Sequence, residues 1–134
     1  MPSESKKVFL WFGLGAVALL FLNRKAVAAI GEDVQIKPGV NLEGIQPQLV
    51  MAAQVADEVY TSNGFALTIT SANDSQHMEG SLHYQGRALD LRTRDLPEGM
   101  AATLAGEIRS RLGNQFDVIL EADHIHIEYD PKTT

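Results

Sequence analysis

Apolar side chains recur at helical spacing in two stretches of the chain, and each stretch ends in residues typical of helix termini. The first begins at Pro47 and stops at Gly64, and the second runs from Pro97 to Gly113. Residues three and four apart share one face of a helix, so each stretch predicts a helix with one buried face. The predicted buried positions are Leu49, Ala52, Ala53, Ala56, Val59 and Tyr60 in the first helix, and Ala101, Leu104, Ala105, Ile108 and Leu112 in the second.

Four shorter stretches are rich in strand-forming residues, at positions 65–71, 87–93, 115–121 and 124–130. Together with the helices they predict a small α+β domain with a mainly antiparallel sheet and two helices. We expect this domain to cover residues 47–134. The residues before it, 31–46, are polar and contain Pro and Gly, which indicates a linker or an opening turn.

Residues 8–22 form an uncharged apolar run, with two basic residues on each side of it. A membrane-spanning helix needs about 20 apolar residues, and snorkelling flanking lysines can supply the missing length. The alternative is a secretory signal cleaved after a triplet at residues 26–28, but Arg24 and Lys25 directly before it argue against cleavage. We therefore expect residues 1–30 to be an uncleaved single-pass membrane anchor. Its orientation stays open, because the basic residues on the two sides balance.

Charge and cysteine content limit the class of function. Residues 31–134 contain 7 basic and 16 acidic side chains. A domain this acidic would repel the phosphates of DNA and RNA, so nucleic acid is excluded as a partner. The chain has no cysteine, so any bound metal must be held by His, Asp or Glu.

Histidine is confined to the predicted domain, at His77, His83, His124 and His126. The last two alternate along a predicted strand, so both imidazoles project from one face. Neighbouring imidazoles on a partly buried face need a partner, and zinc binds imidazole and carboxylate well. A zinc site made of His83, Asp90 and one histidine of the 124/126 pair is one interpretation. Histidines on a polar sheet face without metal are the other.

The segment "SLHYQGRALD", residues 81–90, resembles the S-x-H-x-x-G-x-A-x-D signature of the D-alanyl-D-alanine carboxypeptidase family of zinc metallopeptidases. That family includes phage endolysins that cut L-alanyl-D-glutamate bonds. It shares a superfamily with lysostaphin-type peptidases and the hedgehog signalling domain. The family's second motif, an acidic residue three positions before a His and often D-H-x-H, is matched by Asp123, His124 and His126. The resemblance covers most of residues 47–130.

The resemblance implies a zinc site on the sheet face, with His83, Asp90 and His126 as the Zn²⁺ ligands. It also implies that Asp123 is the general base for the water on the zinc, and that His124 polarises the substrate carbonyl.

An E-x-x-H form of the second motif leaves another register open, with Glu121 as the base and His124 as the ligand. Ser81, which would brace the loop, and Arg87 are the candidate substrate-binding residues. Relatives often carry an Arg after the first strand, whereas residues 71–74 have none. Arg87, Arg92 or Arg94 is the candidate to hold a substrate carboxylate instead, and the alternative for each is a surface salt bridge.

The resulting hypothesis is a membrane-tethered zinc peptidase that hydrolyses bacterial peptidoglycan, in the stem peptide or the cross-link. It would face the cell wall or periplasm, or be virion-associated if it is phage-encoded. The alternative is a membrane-anchored zinc-binding structural or interaction module without turnover. The acidic residues beside the predicted ligands favour the enzyme. The scissile bond, the host and the oligomeric state stay open.

Overall fold

The computed structural model of the 134-residue chain describes residues 23–72 and 86–131. This part of the chain forms three helices and five strands. Their order is α1 (residues 23–30), β1 (Gln35–Ile36), α2 (Pro47–Ser62), β2 (Thr68–Ser71), β3 (Ala88–Arg92), α3 (Met100–Leu112), β4 (Phe116–Leu120) and β5 (His124–Tyr129). The strands make a mixed sheet in the order β1-β2-β3-β5-β4. The pair β1–β2 is parallel and the other neighbouring pairs are antiparallel. The predicted α+β class is confirmed.

The two predicted helices supply most of the helical side of the core. α2 buries all six of its predicted positions, and α3 buries four of its five, with Ala101 only partly buried. On the sheet, side chains alternate between the two faces. The core-facing residues of β3 and β5 have no exposed surface, and they are Leu89, Leu91, Ile125 and Ile127. The residues between them, including Asp90 and His126, therefore project from the opposite face.

The predicted linker at residues 31–46 contributes a strand and part of the core. β1 pairs in parallel with β2 and so extends the sheet at one edge. Two residues are too few for an alternating pattern, which explains why this strand was not predicted from the sequence. The buried apolar side chains of the segment are Val34, Val40 and Leu42.

The predicted single-pass membrane anchor is corrected by the structure. Across residues 23–72 and 86–131, no helix is long and apolar enough to cross a membrane. The membrane-anchored localisation that was derived from the anchor is corrected with it. The apolar run at residues 8–22 lies outside the described residues.

The last eight residues of the predicted anchor form α1, which packs on the folded domain. Asn23 is 6% exposed. Its side-chain amide donates to the carbonyl of Val40 at 2.7 Å, and its Oδ1 accepts the backbone N–H of Leu42 at 2.9 Å. At the other end of α1, Ile30 is buried in the core. These contacts make α1 part of the domain.

Candidate metal centre

β3 and β5 bring one carboxylate and two imidazoles together on the open face of the sheet. Asp90 is the direct cross-strand partner of His126, and His124 lies two residues away on the same face. The Oδ1 atom of Asp90 lies 2.8 Å from Nδ1 of His126 and 3.6 Å from Nε2 of His124. The side chain of Asp90 is 14% exposed, that of His126 is 18% exposed and that of His124 is 28% exposed. The three side chains are thus partly shielded from solvent and partly exposed.

The donor set of this cluster fits zinc. Among the described residues, Asp90, His124 and His126 each offer a ligand atom, and these atoms lie within 4.8 Å of one another. Zinc binds imidazole nitrogen and carboxylate oxygen at about 2.0–2.2 Å in tetrahedral geometry, which separates neighbouring ligand atoms by about 3.4 Å. The distances from Oδ1 of Asp90 to the two imidazole nitrogens, 2.8 Å and 3.6 Å, lie on either side of that value. Small side-chain rotations would therefore place all three ligand atoms around one ion.

Each imidazole directs one nitrogen toward Asp90 and the other toward a second carboxylate. Nε2 of His126 lies 3.1 Å from Oε1 of Glu128, and Nδ1 of His124 lies 2.6 Å from Oδ1 of Asp123. Metal-binding histidines commonly donate their other ring N–H to a carboxylate, which fixes the ring and its tautomer. Both rings are therefore arranged as metal-binding histidines usually are.

The electrostatics of the cluster favour a positive charge between its members. The pKa of His126 is raised above its ordinary value, chiefly because the Asp90 carboxylate accepts a hydrogen bond from the imidazolium. Burial opposes the rise, and the charges of Asp90 and Glu128 add to it. A proton on Nδ1 of His126 would lie between the ring and Asp90. A metal ion would have to displace that proton.

The candidates for the general base lie in and beside the turn between β4 and β5. Asp123 is 87% exposed and contacts His124 through its carboxylate. Glu121 is also exposed, and its backbone N–H donates to the carbonyl of His124 at 2.8 Å. The turn therefore holds both acidic candidates beside His124, and the assignment of the base stays a prediction.

Arg87, predicted to bind substrate, is directed toward the far end of β5. Its Nε donates to the carbonyl of Tyr129 at 3.0 Å, and its guanidinium lies 3.9 Å from Asp130 and over the Tyr129 ring. Tyr129 is five residues from His124 along the strand, or about 16 Å. Arg92 lies nearer the cluster, as the cross-strand partner of His124. It also lines a cavity of about 150 Å³.

The remaining predicted site residues, Ser81 and His83, lie outside the described residues, as does His77. Gly86, the glycine of the same signature, is described, and its role is structural. Its φ is +68°, and a Cβ there would lie 2.3 Å from the carbonyl oxygen of Gly44. The signature needs glycine here because another residue would collide with the backbone that precedes α2.

Glu128 is the residue at this site that sequence reasoning missed. The signal was present in the alternation of "HIHIE", which puts His124, His126 and Glu128 on one face of β5. The motif of the resembling family contains an acidic residue before the histidines and none after them.

Comparison with known protein families gives a match that includes the cluster. The family model of the Hedgehog amino-terminal signalling domain matches residues 46–128, more than half of the chain and the whole of the cluster. That family belongs to the zinc-peptidase-like superfamily, so the predicted superfamily is confirmed. The match is to this family rather than to the carboxypeptidases and endolysins that the signature resembles. No curated protein matches the chain.

Proposed function

The chain belongs to the family of the Hedgehog amino-terminal signalling domain, and we propose that it is a zinc-dependent peptidase. The observation that carries this proposal is the cluster of Asp90, His124 and His126 on the open face of the sheet. Its Asp90 and His126 would supply an oxygen and a nitrogen ligand for zinc, with the imidazole of His124 beside them, within a domain related to zinc peptidases.

We assign Asp90 and His126 as ligands of one Zn²⁺, with His83 as the third protein ligand on the strength of the signature. When bound, Zn²⁺ would supply Lewis acidity toward a water molecule and toward the carbonyl of a peptide bond. His124 directs Nε2 toward the same site, and its doubly protonated ring would donate from Nε2 to the substrate carbonyl oxygen while Nδ1 donates to Asp123.

Asp123 is the proposed general base, and its exposed carboxylate would accept a proton from the attacking water. Its contact with His124 supports a place beside the reacting groups. Glu121 is the second candidate, since it lies in the same turn region and leaves the register with His124 as the ligand open.

The proposed substrate is a peptide of bacterial peptidoglycan, in the stem or the cross-link. This choice rests on the resemblance of residues 81–90 to the signature of enzymes that cut such peptides. The sheet face that carries the cluster has two features that would contact a peptide. Ile119, the cross-strand partner of His126, is 41% exposed and offers an apolar contact. Arg92, opposite His124, offers a cation for a substrate carboxylate.

A second candidate function is a zinc-binding structural or interaction module without turnover. The observation in its favour is that the matching family is a signalling domain. The contact between Asp123 and His124 also suits a carboxylate that only orients the ring. In that case the same residues would bind metal, and no bond would be cut.

Digestion of purified peptidoglycan and synthetic stem peptides by the zinc-loaded full chain separates the two functions. We expect mass spectrometry to detect a released peptide whose mass identifies the bond. Asp123→Asn should retain zinc and lose activity by about 10²–10⁴-fold, as for removal of a general base. His126→Ala should lose both zinc and activity.

Glu98→Gln is the matched control, because it changes an exposed carboxylate away from the cluster to an amide. It should leave zinc content and activity unchanged. Full activity in Asp123→Asn would move the base to Glu121. A chain that holds zinc and releases no product from any of these substrates would favour the module without turnover.

A further inference from the structure

We propose that Glu128 is a positioning residue that determines which ring nitrogen of His126 faces the metal. This inference rests on the proposed zinc site and concerns the group that prepares His126 as a ligand. Glu128 follows His126 by two residues on β5, so both side chains leave the same face of the sheet. Its Oε1 lies 3.1 Å from Nε2 of His126.

The chemistry of the neutral imidazole explains how Glu128 selects the nitrogen. A neutral ring carries one N–H and one lone pair. If the proton is on Nε2, that N–H donates to Glu128, and the lone pair of Nδ1 points toward Asp90 at 2.8 Å, where a shared metal ion would lie. If the proton is on Nδ1, the lone pair of Nε2 faces a carboxylate and is repelled. Glu128 thus favours Nδ1 as the ligand atom.

The neighbouring histidine has the opposite arrangement. Nδ1 of His124 contacts Asp123, so its Nε2 is the nitrogen directed toward Asp90. The supporting carboxylates also differ in exposure, at 20% for Glu128 and 87% for Asp123. A hydrogen bond shielded from water is electrostatically stronger. Glu128 should therefore influence metal binding more than Asp123 does.

A second role for Glu128 would be as a ligand in its own right. Its carboxylate lies within 4.8 Å of those of Asp117 and Asp130. This group is purely acidic, and the guanidinium of Arg87 lies 3.9 Å from Asp130. The contact with His126 ties Glu128 to the histidine cluster instead. The two roles predict different effects of removing Asp117, which makes Asp117→Ala an informative control.

The test compares zinc affinity, by competition with a chromophoric chelator, in the full chain and three variants. Glu128→Ala removes the acceptor and should weaken zinc binding about 10–100-fold, as for other carboxylates that support ligand histidines. Glu128→Gln keeps an oxygen that accepts from Nε2 and should recover most of the affinity. Asp117→Ala removes a cross-strand carboxylate from the same face and should lose little.

Nitrogen-15 NMR of the histidine rings in the zinc-loaded wild-type chain gives a readout that no variant's folding can affect. We expect His126 to show a protonated Nε2 and a metal-bound Nδ1. A metal-bound Nε2 would overturn the inference, and so would a Glu128→Ala variant that binds zinc as tightly as the wild type. Equal losses in Asp117→Ala and Glu128→Ala would also overturn it, because removal of charge alone would then explain both.

The zinc-binding and cleavage experiments together distinguish the role of Glu128 from the proposed peptidase function. If the zinc affinities and NMR signals are as expected and no peptide is cleaved, the positioning role of Glu128 is supported and the peptidase function is contradicted. Cleavage that needs zinc but not Glu128 would support the peptidase and contradict the role of Glu128. A wild-type chain that binds no zinc would contradict both.

Discussion

Asp90 connects the two histidines of the candidate site, because both rings direct a nitrogen toward the same carboxylate oxygen. The distances from that oxygen are 2.8 Å to His126 and 3.6 Å to His124. Two imidazoles beside one partly buried carboxylate favour a cation between them, which would be a proton or a metal ion. The neighbouring carboxylates of Asp123 and Glu128 then decide which nitrogens face that cation.

Substitution of Gly86 tests whether the close approach of the backbone at Gly44 requires glycine at this position of the signature. Gly86→Ala should destabilise the domain by at least about 3 kcal/mol, because the new Cβ adds a collision with Gly44 to the penalty of positive φ. Gly39→Ala is the matched control. Its φ is +89°, and a Cβ there meets nothing within 4 Å. It should cost about 1 kcal/mol.

Denaturant unfolding of both variants measures the difference. Equal losses in the two variants would mean that φ alone requires glycine at position 86. That result would contradict the explanation that the close approach to Gly44 requires glycine in the signature.

At the scale of the elements, β5 carries both the core and the candidate site on one strand. Ile125 and Ile127 are fully buried in the core, and His124 and His126, which alternate with them along β5, lie on the other face in the candidate metal cluster. Because this alternation follows directly from the sequence, the position of His124 and His126 on the same face of β5 could be predicted from it. The cross-strand partner Asp90 could not be placed by periodicity. Asp90 was a ligand candidate by residue type, but its pairing with His126 joins residues distant in sequence, and local pattern does not predict such a pairing.

Asp57 on α2 is a source of instability that depends on pH. Burial, followed by the nearby charge of Asp33, raises the pKa of its carboxyl. Its Oδ1 is buried without a hydrogen-bond partner among the described residues. The native state therefore binds the proton of Asp57 more tightly than the unfolded state does. The contribution of Asp57 to the free energy of unfolding is fully present below the ordinary pKa of an Asp carboxyl. It is lost as the pH rises through the raised pKa of Asp57 in the native state.

Asp57→Asn should accordingly stabilise the domain at neutral pH, by about 1 kcal/mol, because it removes a partly buried charge. The gain should vanish in acid, where Asp57 is already neutral. Glu58→Gln on the same helix is the control. It breaks an exposed ion pair with Arg111 and should change stability by less than about 1 kcal/mol at neutral pH.

Unfolding free energies of these variants at pH 3 and pH 7 decide the matter. A wild type and an Asp57→Asn variant with equal stability at pH 7 would contradict the account of this residue.

At the scale of the whole molecule, the helices cover one face of the sheet and the candidate site occupies the other. The two long helices, their buried faces and the four longer strands were predictable, because each has a periodic pattern of its own. α1 and β1 were not. Asn23 holds α1 in place through Val40 and Leu42, which are 17 and 19 residues away. A basic, apolar beginning otherwise resembles an anchor, and local pattern carries no information about such distant contacts.

The zinc content of the purified full chain tests the central claim most directly. After removal of metal by a chelator and reloading, metal analysis should find one Zn²⁺ per chain. Asp90→Ala and His126→Ala should hold none, because each removes a ligand from the cluster, and Asp117→Ala should still hold one. A wild-type chain without stoichiometric zinc, or an Asp90→Ala variant that keeps it, would contradict the account.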